Sequence, residues 1–353
     1  MRASIAAAVT SLVSLVDRSL RPLGVLVVLA IGAAACGDDG ADDGGAGEAT
    51  PAETTGSTGA GAASLAEEFP AGTRTETFVD ETRGTAADPT GSRQARDERA
   101  IDVILQYPAE DGSAGTGAQD EEAPPAEGRF PLIVVSHGIT SDGRALSPRT
   151  EHWAREGYIV ALPTFPLTSG TGASAEDFVN QPADVSFVID SVLALDTDPQ
   201  DPLHGHVDAD HIAAAGHSLG AATTLGVSYN SCCIDERIDA AISIAGFALP
   251  FPGGAVENPP ATPLLLIHGE RDDVIAIDQT SDALFAEARP PVYYLRFPEG
   301  DHDNLLSRYD MGELLDVAVV GFLDAQLLSD TDRLETLAGE VESSGIATFD
   351  ART

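Results

Sequence analysis

His211-Ile-Ala-Ala-Ala-Gly-His-Ser-Leu-Gly-Ala-Ala222 is the stretch that decides how this chain is read. A short apolar run leads into Gly216-His217-Ser218-Leu219-Gly220, and small residues follow. That order describes a strand, a tight turn and a helix, with a serine at the apex of the turn. The backbone at such an apex is strained, and side chains two positions to either side would collide with neighbouring elements. Glycine at 216 and 220 removes the collision. The turn also sets Ser218 at the N-terminus of the following helix, where the helix dipole favours developing negative charge.

Working outward, apolar runs alternate with helical patterns, as in a mainly parallel α/β sheet. Strands are expected at Thr73–Val79, Ile101–Tyr107, Pro131–Ser136, Tyr158–Leu162, His211–Ala215, Ala240–Ile244, Pro263–Ile267 and Val292–Phe297. Runs such as Leu132-Ile-Val-Val135 are continuously apolar, as strands covered on both faces should be. Helices fit at Pro148–Arg155, Pro182–Ala194, Ala221–Val227, Gln279–Ala288 and Gly312–Leu328. A further helix around Arg333–Val341 places Leu334, Leu337 and Val341 on one face. The expected fold is α/β, a mostly parallel eight-stranded sheet with helices on both faces and no large lid domain.

A serine at such a turn needs a base, and a base needs an orienting acid; the expected chain order is serine, acid, histidine. Leu264-Leu-Leu-Ile-His-Gly269 runs into Glu270-Arg-Asp272-Asp273, and Val292–Phe297 runs into Pro298-Glu-Gly-Asp-His302-Asp303. Both candidates lie just beyond the carboxyl end of a strand, where open α/β sheets build their sites. His302 is the expected base, and the acid is one of the adjacent pair Asp272 and Asp273, since a turn can aim only one of two consecutive side chains at the histidine; Glu270 and Asp303 are weaker candidates. Two backbone N–H groups are needed to hold an oxyanion. Leu219 follows the serine, and Ile139 follows Gly138 in the loop Ser136-His-Gly-Ile-Thr140. His137 and His217 are expected to shape the pocket, with Phe165, Phe178 and Phe247 as apolar contacts. The segment Phe165–Asn180 is read as a rim over the pocket or as ordinary loop packing. His268 is read as packing beneath the acid loop. His204, His206 and Asp208 lie on no regular element that would fix metal-ligand spacing, so no metal and no cofactor is expected.

Pro131-Leu-Ile-Val-Val-Ser-His-Gly138, Trp153-Ala-Arg-Glu-Gly-Tyr-Ile-Val-Ala161, Asn180-Gln-Pro-Ala-Asp-Val-Ser-Phe-Val-Ile-Asp190, the 216–220 turn and Gly300-Asp-His302 together resemble one group of enzymes. It is the platelet-activating-factor acetylhydrolase and dienelactone-hydrolase-like branch of the α/β hydrolases. The chain is also similar to the bacterial cutinase and polyester-hydrolase branch. The resemblance covers roughly residues 73–328. It implies ester hydrolysis through Ser218, Asp272 and His302. In the acetylhydrolase type the acid follows the strand after the elbow helix, but Ala240-Ala-Ile-Ser-Ile-Ala-Gly-Phe247 carries no carboxylate. An acid on the next strand matches the polyester hydrolases. Dienelactone hydrolases proper use a cysteine nucleophile, which this turn lacks.

Composition narrows the partners. A formal charge of -38 excludes the basic face that nucleic-acid binding requires. All 19 basic residues are arginine, so no lysine is present to serve Ser–Lys or Schiff-base chemistry. Arg18 and Arg21 precede an apolar run from Leu23 to Ala35 that ends at Cys36-Gly-Asp-Asp39. This reads as an export signal over residues 1–36, ending either in lipidation at Cys36 or in ordinary cleavage nearby that secretes the protein; a lipobox usually carries Leu where Ala33 stands. Residues 37–72 hold almost nothing to bury and are expected to be a disordered tether, and Glu110–Gly128 a long exposed loop. Residues 73–328 form the expected catalytic domain, and 329–353 a tail with a short helix. Cys232 and Cys233 are adjacent, read as two small apolar residues or as a vicinal disulfide in an oxidising compartment.

Three functions follow. The leading one is an exported serine carboxylic ester hydrolase acting on small-molecule, lipid or polyester esters, touching membranes only through its N-terminal anchor. A second keeps the same residues but transfers the acyl group to an alcohol. A third is a non-catalytic ligand-binding lipoprotein.

Overall fold

The computed structural model describes residues 69–88, 91, 93–110, 123–255 and 262–353. Cys36, the export signal and the tether up to residue 68 lie outside the described residues, as do residues 111–122 of the Glu110–Gly128 loop.

The strands are β1 (Ala71–Asp80), β2 (Arg99–Pro108), β3 (Phe130–Ser136), β4 (Ile159–Thr164), β5 (Val207–His217), β6 (Ile238–Ile244), β7 (Leu264–Gly269), β8 (Val292–Phe297) and β9 (Thr348–Arg352). They form one sheet in the order β1-β2-β4-β3-β5-β6-β7-β8-β9. From β4 across to β8 every neighbouring pair is parallel. β2 is antiparallel to both β1 and β4, and β9 is antiparallel to β8. The helices are α1 (Gly143–Arg155), α2 (Gln181–Thr197), α3 (Leu219–Tyr229), α4 (Ser281–Glu287), α5 (Asn304–Ser307), α6 (Tyr309–Leu327) and α7 (Asp332–Ser344). Among the described residues no helix is long and apolar enough to cross a membrane.

Strand alternation divides the core between the two faces. On β3, Ile133 and Val135 join one cluster with Trp153 of α1 and Leu315 of α6, while Leu132 and Val134 join another with Val185 and Val188 of α2. All seven residues of β3 are buried. A continuously apolar run is therefore what this position in the sheet demands.

Several element boundaries differ from the sequence expectation, as where β5 begins at Val207 and α1 at Gly143, and two differences lie at the ends of the domain. Within residues 37–72, Phe69 packs onto the domain: its ring meets Phe130 edge-on at 5.5 Å and its N–H donates to the Arg155 carbonyl at 3.0 Å. The other difference is the ninth strand. β9 covers the outer edge of β8, and Phe349 stacks on Tyr293 with ring centroids 6.1 Å apart. The tail is thus part of the sheet, and α7 lies between with Leu337 and Val341 buried in the same cluster as α6.

Leu337 is 1 % exposed, so Leu337→Ala opens a cavity beneath α7. The variant should lose about 2–5 kcal/mol of unfolding free energy, read from its denaturant midpoint. An unchanged midpoint would show that the tail does not contribute to the fold.

Candidate active site

Ser218 ends the path of β5 into α3 at φ 57° and ψ -119°, a conformation that a non-glycine residue adopts only when its surroundings enforce it. The enforcement is steric. A Cβ added at Gly216 would stand 2.3 Å from the Gly220 carbonyl carbon, and one added at Gly220 would stand 2.0 Å from the Ser136 oxygen of β3. Backbone therefore touches backbone on both sides of the serine. The Ser218 N–H donates to the Ile244 carbonyl of β6 at 3.0 Å, which ties the turn across the sheet.

Asp272 follows β7 and His302 follows β8, and the two loops meet. A Cβ at Gly269 would lie 2.3 Å from the Gly300 oxygen, and the Arg271 N–H donates to that oxygen at 2.9 Å. This contact brings the expected acid and base to the serine. The Ser218 hydroxyl lies 2.9 Å from His302 Nε2, and His302 Nδ1 lies 2.7 Å from Asp272 Oδ2. Ser218 and His302 are both buried, at 3 % and 2 % exposure, so water is largely excluded from the bond between them.

The Asp272 carboxylate is fully engaged. Its Oδ1 accepts the N–H groups of Val274 at 2.9 Å and Ile275 at 2.7 Å. Its Oδ2 accepts from both His302 and His268, the latter at 3.0 Å. Burial by itself would push this carboxyl up, but the hydrogen bonds from His268 and His302, the field of His302 and the Ile275 N–H hold it well below the usual carboxylate range. Among the rival carboxylates, Asp273, Glu270 and Asp303 are exposed.

The remaining expected residues fall into three positions. The Gly138 backbone presses on the serine, since a Cβ there would meet Ser218 Cβ at 3.2 Å. The peptide leading to Ile139 therefore sits beside the nucleophile candidate. Leu219 is the first residue of α3, where backbone N–H groups have no partner within the helix. Ile139, Leu219 and Phe247 are buried in one apolar cluster with Phe178, Phe251 and Ile275. Cys232 and Cys233 form a disulfide and pack at the edge of that cluster.

His217 and His137 bind backbone. His217 Nε2 donates to the His302 carbonyl at 2.8 Å, latching the histidine loop to the turn. Burial and the nearby His302 ring lower His217 to about 3, so it is neutral. His137 donates from Nδ1 to the Gly138 carbonyl at 2.8 Å and accepts the Phe165 N–H on Nε2 at 3.0 Å. Its burial lowers it to about 4. Both nitrogens are used, so His137 braces the loop of Gly138 and Ile139. Phe165 is fully buried beside it in the core cluster of β2, β3 and α2, not in the apolar cluster of Ile139 and Phe247. A residue at the carboxyl end of a strand can turn into the core as readily as into a pocket, and the sequence does not distinguish the two.

The residue whose part the sequence reading understated is His268. It is fully buried on β7 and contacts the Asp272 carboxylate directly. Its signal was its place immediately before Gly269, four residues ahead of the acid. His204 and His206, in contrast, bond the backbone carbonyls of Asp196 and Gly128.

No family model matches this chain, and no curated protein matches it by sequence. Among solved structures, a ferulic acid esterase from Streptomyces cinnamoneus is similar over 76 % of this chain and 93 % of that one, at 22 % identity and a TM-score of 0.57. That likeness concerns the fold. Together with the strand order and the turn at Ser218, it gives the chain an α/β-hydrolase fold with a mostly parallel sheet.

Gly220→Ala drives a methyl group into the Ser136 carbonyl. It should destabilise the protein by about 3 kcal/mol, at the upper end of overpacking penalties, as measured by chemical denaturation. A variant with native stability would mean that the turn relaxes freely.

Proposed function

We propose that this protein is a serine hydrolase of carboxylic esters. The observation that carries the reading is the hydrogen-bonded chain from Ser218 Oγ through His302 to Asp272 Oδ2, at 2.9 and 2.7 Å. In this reading His302 Nε2 takes the hydroxyl proton as Ser218 Oγ attacks the ester carbonyl. Asp272 keeps the proton of the ring on Nδ1 and stabilises the imidazolium that forms. The N–H groups of Ile139 and Leu219 hold the oxyanion of the tetrahedral intermediate. Collapse breaks the ester C–O bond, the alcohol leaves with the proton from His302, and an acyl-Ser218 ester remains. Water, deprotonated by the same histidine, then attacks the acyl carbon; the bond to Ser218 Oγ breaks, the acid leaves, and His302 returns the proton to Oγ.

The apolar cluster containing Ile139, Phe178, Leu219 and Phe247 favours an apolar acyl group, as in lipid or polyester esters. The likeness to a ferulic acid esterase is in keeping with ester chemistry on this fold. The resemblance to the acetylhydrolase and polyester-hydrolase branches points to the same reaction. Export and anchoring at Cys36 complete the proposal, resting on the sequence from Leu23 to Cys36.

Short-chain nitrophenyl esters test the chemistry. Ser218→Ala should lower kcat by a factor on the order of 10⁶ without unfolding the chain. Asp272→Asn should lower it by up to about 10⁴, and Asp273→Asn, at an exposed position, by less than about tenfold. A Ser218→Ala enzyme that keeps a tenth of the activity would mean that another residue attacks. The reverse order of the two aspartate variants would displace Asp272 and leave Ser218 and His302 in place.

Anchoring is tested by cell fractionation. The protein should partition with membranes, and Cys36→Ala should release it or stall its processing. Mature protein in the cytoplasm with Met1 retained would overturn export.

A further inference from the structure

We infer that His268 is a positioning residue for Asp272, and that the buried pair His268–Ser281 fixes the carboxylate oxygen that faces His302. The inference rests on the catalytic reading of Ser218, His302 and Asp272.

The geometry assigns the His268 tautomer. Its Nε2 lies 3.0 Å from Asp272 Oδ2 and 3.2 Å from the Ile275 carbonyl oxygen. A carboxylate and a carbonyl are both acceptors, so this nitrogen must carry the proton of the ring. Nδ1 is then an acceptor, and the Ser281 hydroxyl donates to it at 2.7 Å. His268 and Ser281 are both fully buried, so neither bond competes with bulk water.

The consequence falls on Asp272. Its Oδ1 is held by two N–H groups of its own turn, Val274 and Ile275, which fix one end of the carboxylate. Among the described residues Oδ2 has only the two imidazoles, and His302 itself needs to be oriented. His268 is therefore the one donor among them that restrains Oδ2 independently of the catalytic ring. It comes from β7, inside the sheet, and Ser281 comes from the first turn of α4. His217, whose ring lies 4.9 Å from that of His302, bonds the His302 backbone and leaves the imidazole orientation to Asp272. Loss of the His268 donor frees Oδ2 to swing about the Oδ1 anchor, and His302 Nδ1 loses a fixed acceptor.

The test uses His268→Phe, His268→Gln and Ser281→Ala in the full chain. Each is measured for kcat and KM on a nitrophenyl ester and for the rate at which a fluorophosphonate labels Ser218. His268→Phe should lower kcat and labelling about tenfold to hundredfold with KM nearly unchanged, the scale of a small misplacement of catalytic groups. The Gln amide can replace the Nε2 donor, so His268→Gln should stay within about threefold of the parent, and Ser281→Ala should fall between the two. In an Asp272→Asn background, His268→Phe should cause no further loss, because the two act as one unit. A purely structural role would lower stability alike in both backgrounds and would not be rescued by Gln. Should His268→Phe fail to fold, Ser281→Ala decides: slower Ser218 labelling than in both the parent and His268→Gln supports the inference, and labelling at the parent's rate overturns it. Full activity in His268→Phe, no advantage of Gln over Phe, or an additive loss with Asp272→Asn would each overturn the inference. A parent protein that neither labels nor hydrolyses would instead overturn the catalytic reading itself.

Discussion

The contact of the Gly216 and Gly220 backbones with each other and with Ser136 is the constraint from which the rest of the site follows. β5 has to leave the sheet and start a helix within a few residues, while parallel neighbours on both sides limit the room. Ser218 takes the left-handed conformation because α3 must begin there, and α3 can begin there only because no Cβ intervenes at 216 or 220. The strain at one residue is held by packing at its neighbours, which is how such conformations persist. The same turn fixes where the helix N-terminus points, and so where negative charge is best tolerated.

A second close approach, between Gly269 and Gly300, does for Asp272 and His302 what the first does for Ser218. Parallel strands β7 and β8 end side by side, so their following loops start as neighbours. The glycines let those loops touch, and a short set of backbone hydrogen bonds locks them. What results is a buried carboxylate with all its bonds made. Burial opposes the charge on Asp272, and four donors outweigh it. Such a group resists protonation and keeps its charge beside the His302 ring.

The glycine-serine turn and both strand-terminal loops were legible in the sequence because their chemistry is local. Glycine spacing, a strand before and small residues after are all contained in the twelve residues from 211 to 222. That only one of Asp272 and Asp273 could face the histidine was also local, since one turn cannot aim two consecutive side chains the same way; the choice between them came from the resemblance. Phe165 and β9 were not legible, for a shared reason. Phe165 ends a strand and turns back into the core, and Thr348–Arg352 carries few apolar residues and gains its order by pairing with β8. In both cases the deciding partner is distant in sequence, and no periodicity marks it. His268 belongs with them. Its place beneath the acid loop could be read, but the carboxylate and serine it joins become its neighbours only once β7, its turn and α4 are assembled.

The segment Phe165–Asn180 shows how polar groups can organise an apolar cluster. Arg99 of β2 bonds Asp177 and Asp184 while fully buried, and Arg83 adds a second cation to Asp184. Gln181 donates to Thr168 and accepts from Thr223 of α3, and the Thr168 carbonyl takes the Thr140 N–H. Buried ion pairs of this kind contribute little net stability, because desolvation offsets most of the attraction. Their effect here is geometric: with Asp177 and Asp184 held from behind, the short helix Ala175–Asn180 presents Phe178 to Phe251, 5.3 Å away between ring centroids. The apolar cluster around Ile139 and Leu219 is thus fixed by a network that lies outside it. Because that network also carries Thr140, the segment Phe165–Asn180 and the loop beside Ser218 are parts of one framework, and a displacement of either is resisted by the other.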